Sequence, residues 1–70
     1  MNTVIENARD IHVGNQVVIA DSIFDVVART NVPKDSFSYN FVLQSIEDPS
    51  VFGKIEFTCN WMREFTLILK

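Results

Sequence analysis

Residues 37–46, FSYNFVLQSI, alternate between apolar and polar side chains over most of their length. A period of two places successive side chains on opposite faces of a β-strand. The odd positions from 37 to 43 hold three aromatic residues and a leucine, whereas the even positions are mainly polar. This stretch therefore predicts a strand that turns one face towards a hydrophobic core, and it indicates a β fold.

The same alternation predicts four further strands, at residues 16–20, 23–30, 54–59 and 65–70. Loops containing a proline separate them at residues 31–36 and 47–53. Gly14 and Asn15 form either a two-residue hairpin or the start of the first long strand. Connections this short cannot join parallel strands, which need long crossovers. We expect an all-β, five-stranded antiparallel meander curled into a small SH3-like barrel, by strand count and loop length alone.

The first ten residues have a different pattern. Thr3 and Glu6 fit the spacing of a capping box, and apolar residues follow at helical spacing at Val4, Ile5 and Ala8. This segment predicts a short helical turn, with an extended arm as the alternative. The expected organisation is an arm or short helix over residues 1–10 and one barrel domain over residues 11–70.

Composition excludes several classes of protein. The 70 residues leave room for one domain, and 47% hydrophobic content excludes intrinsic disorder. The net charge is −3, and no two of the six basic residues lie closer than five positions. Without a basic stripe, nucleic acid is an unexpected partner. One cysteine suits a reducing compartment, and neither a signal segment nor a membrane span is evident, so we expect a cytoplasmic location.

Chemistry-bearing motifs are absent from the sequence. His12 and Cys59 are the single imidazole and the single thiol, which cannot build a zinc centre. Cys59 continues the inward alternation of its strand, where cysteine behaves as a small hydrophobe. No phosphate-binding glycine motif or calcium loop occurs. We therefore expect no catalytic residues, no metal, no cofactor and no enzymatic activity.

The aromatic residues are the candidates for binding. Trp61 lies in the predicted chain reversal at residues 60–64, beside Met62 and Arg63, and this composition is typical of an interface hot spot. The alternative is that Trp61 plugs one end of the barrel. Phe52, in a predicted loop, has the same two interpretations. Tyr39 lies in a row of aromatic residues that could stack bases or form the core, and a buried phenol needs a hydrogen-bond partner.

Two functions remain open. The first is a non-catalytic module that binds a protein partner, in the manner of a phage-like accessory or inhibitor protein. The alternative is a nucleotide- or oligonucleotide-binding β-barrel, with Tyr39 or Trp61 stacking on a base and Arg29 or Arg63 contacting phosphate. We also expect a homodimer, because a core this small gains from association and the strand at residues 65–70 resembles an unprotected edge.

Overall fold

The computed structural model describes residues 2–32 and 35–69, with the backbone alone at residues 35 and 36. Within this part of the chain the strands are β1 Asn2–Asn7, β2 Gln16–Ile19, β3 Ser22–Val32, β4 Asp35–Ser45, β5 Lys54–Asn60 and β6 Glu64–Leu69. One 3-10 turn follows β1 at Ala8–Asp10, and another precedes β5 at Val51–Gly53. The strand pairs are antiparallel, which confirms the predicted fold class.

The strands form one sheet in the order β1-β6-β2-β3-β4-β5. Strands β2 to β5 make the predicted meander, and β6 then returns to pair with β2 on one side and β1 on the other. The backbone N–H of Arg9, just after edge strand β1, donates to the carbonyl of Trp61, just after edge strand β5, at 3.4 Å. The two edges therefore approach each other, and the sheet curls into a small barrel.

The core fills the inside of this barrel. Its buried members are Ala8, Ile11, Val17, Val26, Phe41, Leu43 and Phe65. The ring of Phe65 packs edge-on against Phe41 and Phe57, with centroids 5.5 and 5.8 Å apart. The aromatic residues of β4 become more exposed towards the start of the strand. Phe41 is fully buried, Tyr39 is half-buried and Phe37 is 62% exposed.

The helical turn predicted near the N-terminus is wrong. Residues 2–7 form strand β1 and pair with β6 along their whole length, with Val4 opposite Leu67. A short isolated helix satisfies few of its own backbone groups, whereas pairing with β6 gives each residue of β1 a neighbour across the ladder. The sheet consequently has six strands where the sequence predicted five.

The predicted edge at residues 65–70 is also wrong. Strand β6 lies between β1 and β2, so both of its sides are paired, and the edges of the sheet are β1 and β5. The argument for a dimer that rested on this edge is lost. Dimer formation itself stays a prediction.

Two connections differ from expectation. Residues 11–13 form no strand; Gly14 adopts φ +96° and donates its N–H to the carbonyl of Val26, so the Gly14–Asn15 turn starts β2. Strand β3 continues through Val32 into the predicted loop at residues 31–36, of which residues 33 and 34 lie outside the described chain.

Candidate functional site

The predicted reversal lies at one end of the barrel, as a three-residue connection between β5 and β6. Trp61 is half-buried, and Met62 is 58% exposed beside it. The backbone N–H of Trp61 donates to the carbonyl of Phe37 at 2.7 Å, which continues the pairing of β4 with β5 by one residue. Alternation along both strands therefore places Trp61 on the same sheet face as Tyr39 and Cys59.

Arg9 covers the ring of Trp61. Its guanidinium carbon lies 5.0 Å from the ring centroid, within the range of a cation–π contact. The 3-10 turn after β1 places it there, and the turn is tied to the reversal because Ala8 donates its N–H to the carbonyl of Arg63 at 2.8 Å. Nε of Arg9 also lies 3.8 Å from Oδ2 of Asp10. Both side chains are exposed, so this ion pair contributes little to folding stability.

Arg29 covers the ring of Tyr39 in the same manner. Its guanidinium carbon lies 4.2 Å from the ring centroid. One nitrogen, Nη1, donates to the carbonyl of Ile11 and contacts Nδ1 of His12, both at 2.9 Å. A guanidinium has only donors, so Nδ1 of His12 accepts this hydrogen bond. The cation–π contact and the two hydrogen bonds together hold the guanidinium of Arg29 in place.

Arg63 makes the third contact of this kind. Its guanidinium carbon lies 5.1 Å from the ring centroid of Phe57, and the ring of Phe57 also packs against the core residue Phe65. Burial raises the pKa of the nearby Cys59 thiol, and the positive charge of Arg63 partly offsets this. The guanidinium therefore lies at the boundary between the core and the open end.

All three arginines of the sequence thus make cation–π contacts with aromatic rings towards one end of the barrel. We call this group the arginine mouth, formed by Arg9, Arg29, Tyr39, Phe57, Trp61 and Arg63. The exposed side chains of Phe37 and Met62 adjoin it. Of the five residues proposed from the sequence, the structure brings Trp61, Met62, Arg63 and Tyr39 together here.

Phe52 lies at the other end of the barrel. It precedes β5, whereas Trp61 follows it, and a strand of seven residues spans about 23 Å. Phe52 is 92% exposed, and the acidic residues Glu47 and Asp48 lie in the same loop. Hydrogen bonds from Ser50 lower the pKa of Asp48. The structure does not bring Phe52 to the arginine mouth.

Sequence reasoning missed Arg9 and Phe57 as members of the mouth, and His12 and Phe37 as residues beside it. Arg9 fell in the segment predicted as a helix or arm, and His12 in a turn. Their partners lie 52 and 17 residues away along the chain, as the contacts Arg9–Trp61 and His12–Arg29 show. The one local signal was the aromatic row that begins at Phe37.

Comparisons with known proteins identify a fold. No family model matches the chain, and no curated protein matches it in sequence. A solved structure, a translation initiation factor eIF-5A family protein from Naegleria fowleri, is similar with a TM-score of 0.72 and 18% identity. The match covers 96% of this chain and 47% of that protein, so this chain spans about half its length. None of the helices in the described residues is long and apolar enough to cross a membrane.

This similarity corrects two predictions. A protein-binding accessory module of the phage type is wrong as the main function, because the solved neighbour is a translation initiation factor family protein. The exclusion of nucleic acid as a partner is wrong on the same finding. That exclusion considered basic residues only as neighbours in the sequence, and the fold gathers three of them across its strands. The likeness itself establishes a small barrel fold of the kind found in that protein.

Proposed function

We propose that this chain is a non-catalytic β-barrel that binds single-stranded nucleic acid, RNA above all, at the arginine mouth. The observation that carries this proposal is the stacking of every arginine in the chain on an aromatic ring at one end. Translation is initiated on RNA, and the solved neighbour belongs to a family of translation initiation factors. That supports RNA and a cytoplasmic location.

The chemistry of a stacked arginine suits this ligand. One face of the guanidinium lies on the ring, while its N–H groups point outwards in the plane, where they match the oxygens of a phosphate. Unpaired bases stack on aromatic rings and on guanidinium planes. The mouth places both kinds of group side by side, at Arg29 on Tyr39 and at Arg9 on Trp61.

The shape of the mouth favours a single strand over a duplex. The rings belong to the inner face of β4 and to the β5–β6 reversal, where the aromatic row leaves the core and reaches solvent at Phe37. In a duplex the base faces are stacked on one another, so only a strand with unpaired bases can present them to the guanidinium groups that cover these rings and to the exposed ring of Phe37. Asp10 and Glu64 reduce the positive charge of the mouth, so we expect moderate affinity.

The test uses the fluorescence of Trp61, the single tryptophan of the sequence. We expect single-stranded octauridylate to quench it, and a duplex of the same length to quench it far less. If each arginine neutralises one phosphate, the logarithm of the binding constant should fall against the logarithm of salt concentration with a slope of about −2. No quenching at low salt up to millimolar oligonucleotide would overturn the proposal.

A matched pair of variants locates the site. Arg29→Ala removes one positive charge from the mouth. Lys54→Ala removes one positive charge from the start of β5, near the opposite end of the barrel. We expect Arg29→Ala to weaken binding about tenfold and Lys54→Ala less than twofold, because long-range charge effects are screened by salt. Equal losses in the two variants would mean that binding is not localised at the mouth.

A further inference from the structure

The contact between Arg29 and His12 carries a consequence for how phosphate would bind. Nδ1 of His12 accepts a hydrogen bond from Nη1 of Arg29 at 2.9 Å, which requires that this nitrogen carry no proton. His12 is exposed, and its backbone N–H donates to the side chain of Asn15 at 2.7 Å within the turn. The backbone of His12 is therefore anchored, while its ring lies at the surface of the mouth.

We propose that Arg29 and His12 together form the phosphate position of the arginine mouth, and that His12 takes up one proton from solvent when a phosphodiester binds. This rests on the proposed function of the mouth. A phosphate oxygen replaces Nδ1 as an acceptor for Arg29, and the released Nδ1 gains a proton and donates to the same phosphate. Arg29 thereby exchanges a neutral acceptor for an anionic one, and His12 gains a hydrogen bond to the same anion. Hydrogen bonds between two ionised groups are shorter and stronger than those with a neutral partner.

Electrostatics gives the direction of this coupling. Without an anion, a protonated His12 would stand beside the fixed positive charge of Arg29, and the two would repel. A bound phosphate supplies the negative charge that makes both cations favourable. Along the chain the charged residues closest to His12 are Arg9 and Asp10, and the strand hydrogen-bonded to its turn, β3, carries Asp25 opposite Gln16.

Affinity should therefore rise as the pH falls. For octauridylate at constant ionic strength, we expect binding about tenfold tighter at pH 6 than at pH 8, since uptake of one proton allows at most tenfold per pH unit. His12→Asn is the diagnostic variant, because Asn can offer Oδ1 as an acceptor to Arg29 but cannot take up a proton. We expect this variant to lose the pH dependence, so that its affinity differs less than twofold between pH 6 and pH 8.

Two further measurements separate this inference from its alternatives. His12 is the single histidine of the sequence, so its ring resonances are unambiguous. Octauridylate at pH 7 should shift them towards the protonated form. Asp10→Asn should keep the pH dependence, and its loss in that variant would assign the proton to a pair with Asp10 and overturn the inference.

The outcomes also separate this inference from the proposed function. Binding that is equal at pH 6 and pH 8, with unshifted His12 resonances, would overturn the phosphate position alone. Absence of binding at every pH would overturn the nucleic-acid function and this inference with it.

Discussion

Exposed aromatic residues occur at both ends of this barrel, in opposite electrostatic surroundings. At the arginine mouth, Trp61 and Tyr39 are each covered by a guanidinium, and hydrogen bonds hold the one above Tyr39 in place. At the other end, Phe52 extends from a 3-10 turn in a loop that carries Glu47 and Asp48. Exposure alone would rank Phe52 first, whereas only the mouth combines rings with oriented donors.

The difference shows what makes a surface suited to binding. A side chain that is held in position loses little conformational entropy when a ligand arrives. Arg29 is held by Tyr39, Ile11 and His12. Phe52, at 92% exposure, has little packing to hold it and would lose rotamer freedom on binding. We therefore place the proposed nucleic-acid site at the mouth and not at the Phe52 loop.

The largest expected difference between the two ends concerns their glycines. A Cβ at Gly53 would overlap the carbonyl oxygen of Asp48, and backbone atoms cannot easily move aside. Gly14, near the mouth, has open space around it but adopts φ +96°. We expect Gly53→Ala to lower the free energy of unfolding by about 3 kcal/mol and Gly14→Ala by about 1–2 kcal/mol. Urea unfolding of both variants measures this, and a larger loss at Gly14 would contradict the close packing at Gly53.

The next comparison exchanges aromatic residues at the two ends. Trp61→Ala should weaken the binding of fluorescein-labelled octauridylate by about 2 kcal/mol, measured by anisotropy, because a central aromatic anchor is lost. Its cost in folding stability should be about 1 kcal/mol, since the ring is half-buried beneath Arg9. Phe52→Ala should change neither quantity by more than about 0.5 kcal/mol.

The same two variants decide between the interpretations of Trp61. A loss of about 3 kcal/mol or more in folding stability, with unaltered binding, would identify Trp61 as a plug of the barrel. In that case Trp61 would no longer be a binding residue of the arginine mouth. Weaker binding in Phe52→Ala would remove the contrast between the two ends.

Most strands were predictable because their signal is local. Alternation at residues 37–46 and 54–59 gave β4 and β5 to within two residues at each end. β1 was missed because the spacing of Thr3, Val4 and Glu6 fits a helical start equally well. Its pairing partner β6 lies some 60 residues away along the chain, and that pairing decides its structure. Sequence periodicity in a short segment contains no information about such a partner.

The candidate site was predictable only in part, for the same reason. Trp61, Met62 and Arg63 are neighbours in the sequence, and the reversal was recognisable from the strands on either side. Arg9 and Arg29 join them through contacts across the barrel, which no spacing in the sequence reveals. Counting basic residues along the chain therefore underestimated the local positive charge, although the net charge of −3 is correct for the whole molecule.

The smallest expected difference is the response of the two ends to pH. Hydrogen bonds from Ser50 lower the pKa of Asp48, so its contribution to stability is present above the pKa of the unfolded chain and is lost as the pH falls. Burial raises the pKa of the Cys59 thiol, so the contribution of Cys59 to stability depends on pH in the opposite direction. Its contribution is present below the unfolded pKa and is lost as the pH rises through the folded one.

Urea midpoints measured from pH 2 to pH 11 test this difference. Relative to the wild type, Asp48→Asn should flatten the acid limb of the stability profile and leave the alkaline limb unchanged. Cys59→Ala should flatten the alkaline limb of the profile and leave the acid limb unchanged.

Arg63→Ala provides a second test at the mouth. Loss of its positive charge should raise the pKa of Cys59 further, and this should slow alkylation of the thiol by iodoacetamide at a fixed alkaline pH. An unchanged alkylation rate in folded Arg63→Ala would mean that the guanidinium does not lie near the sulfur in solution, and the Arg63 part of the mouth would be withdrawn.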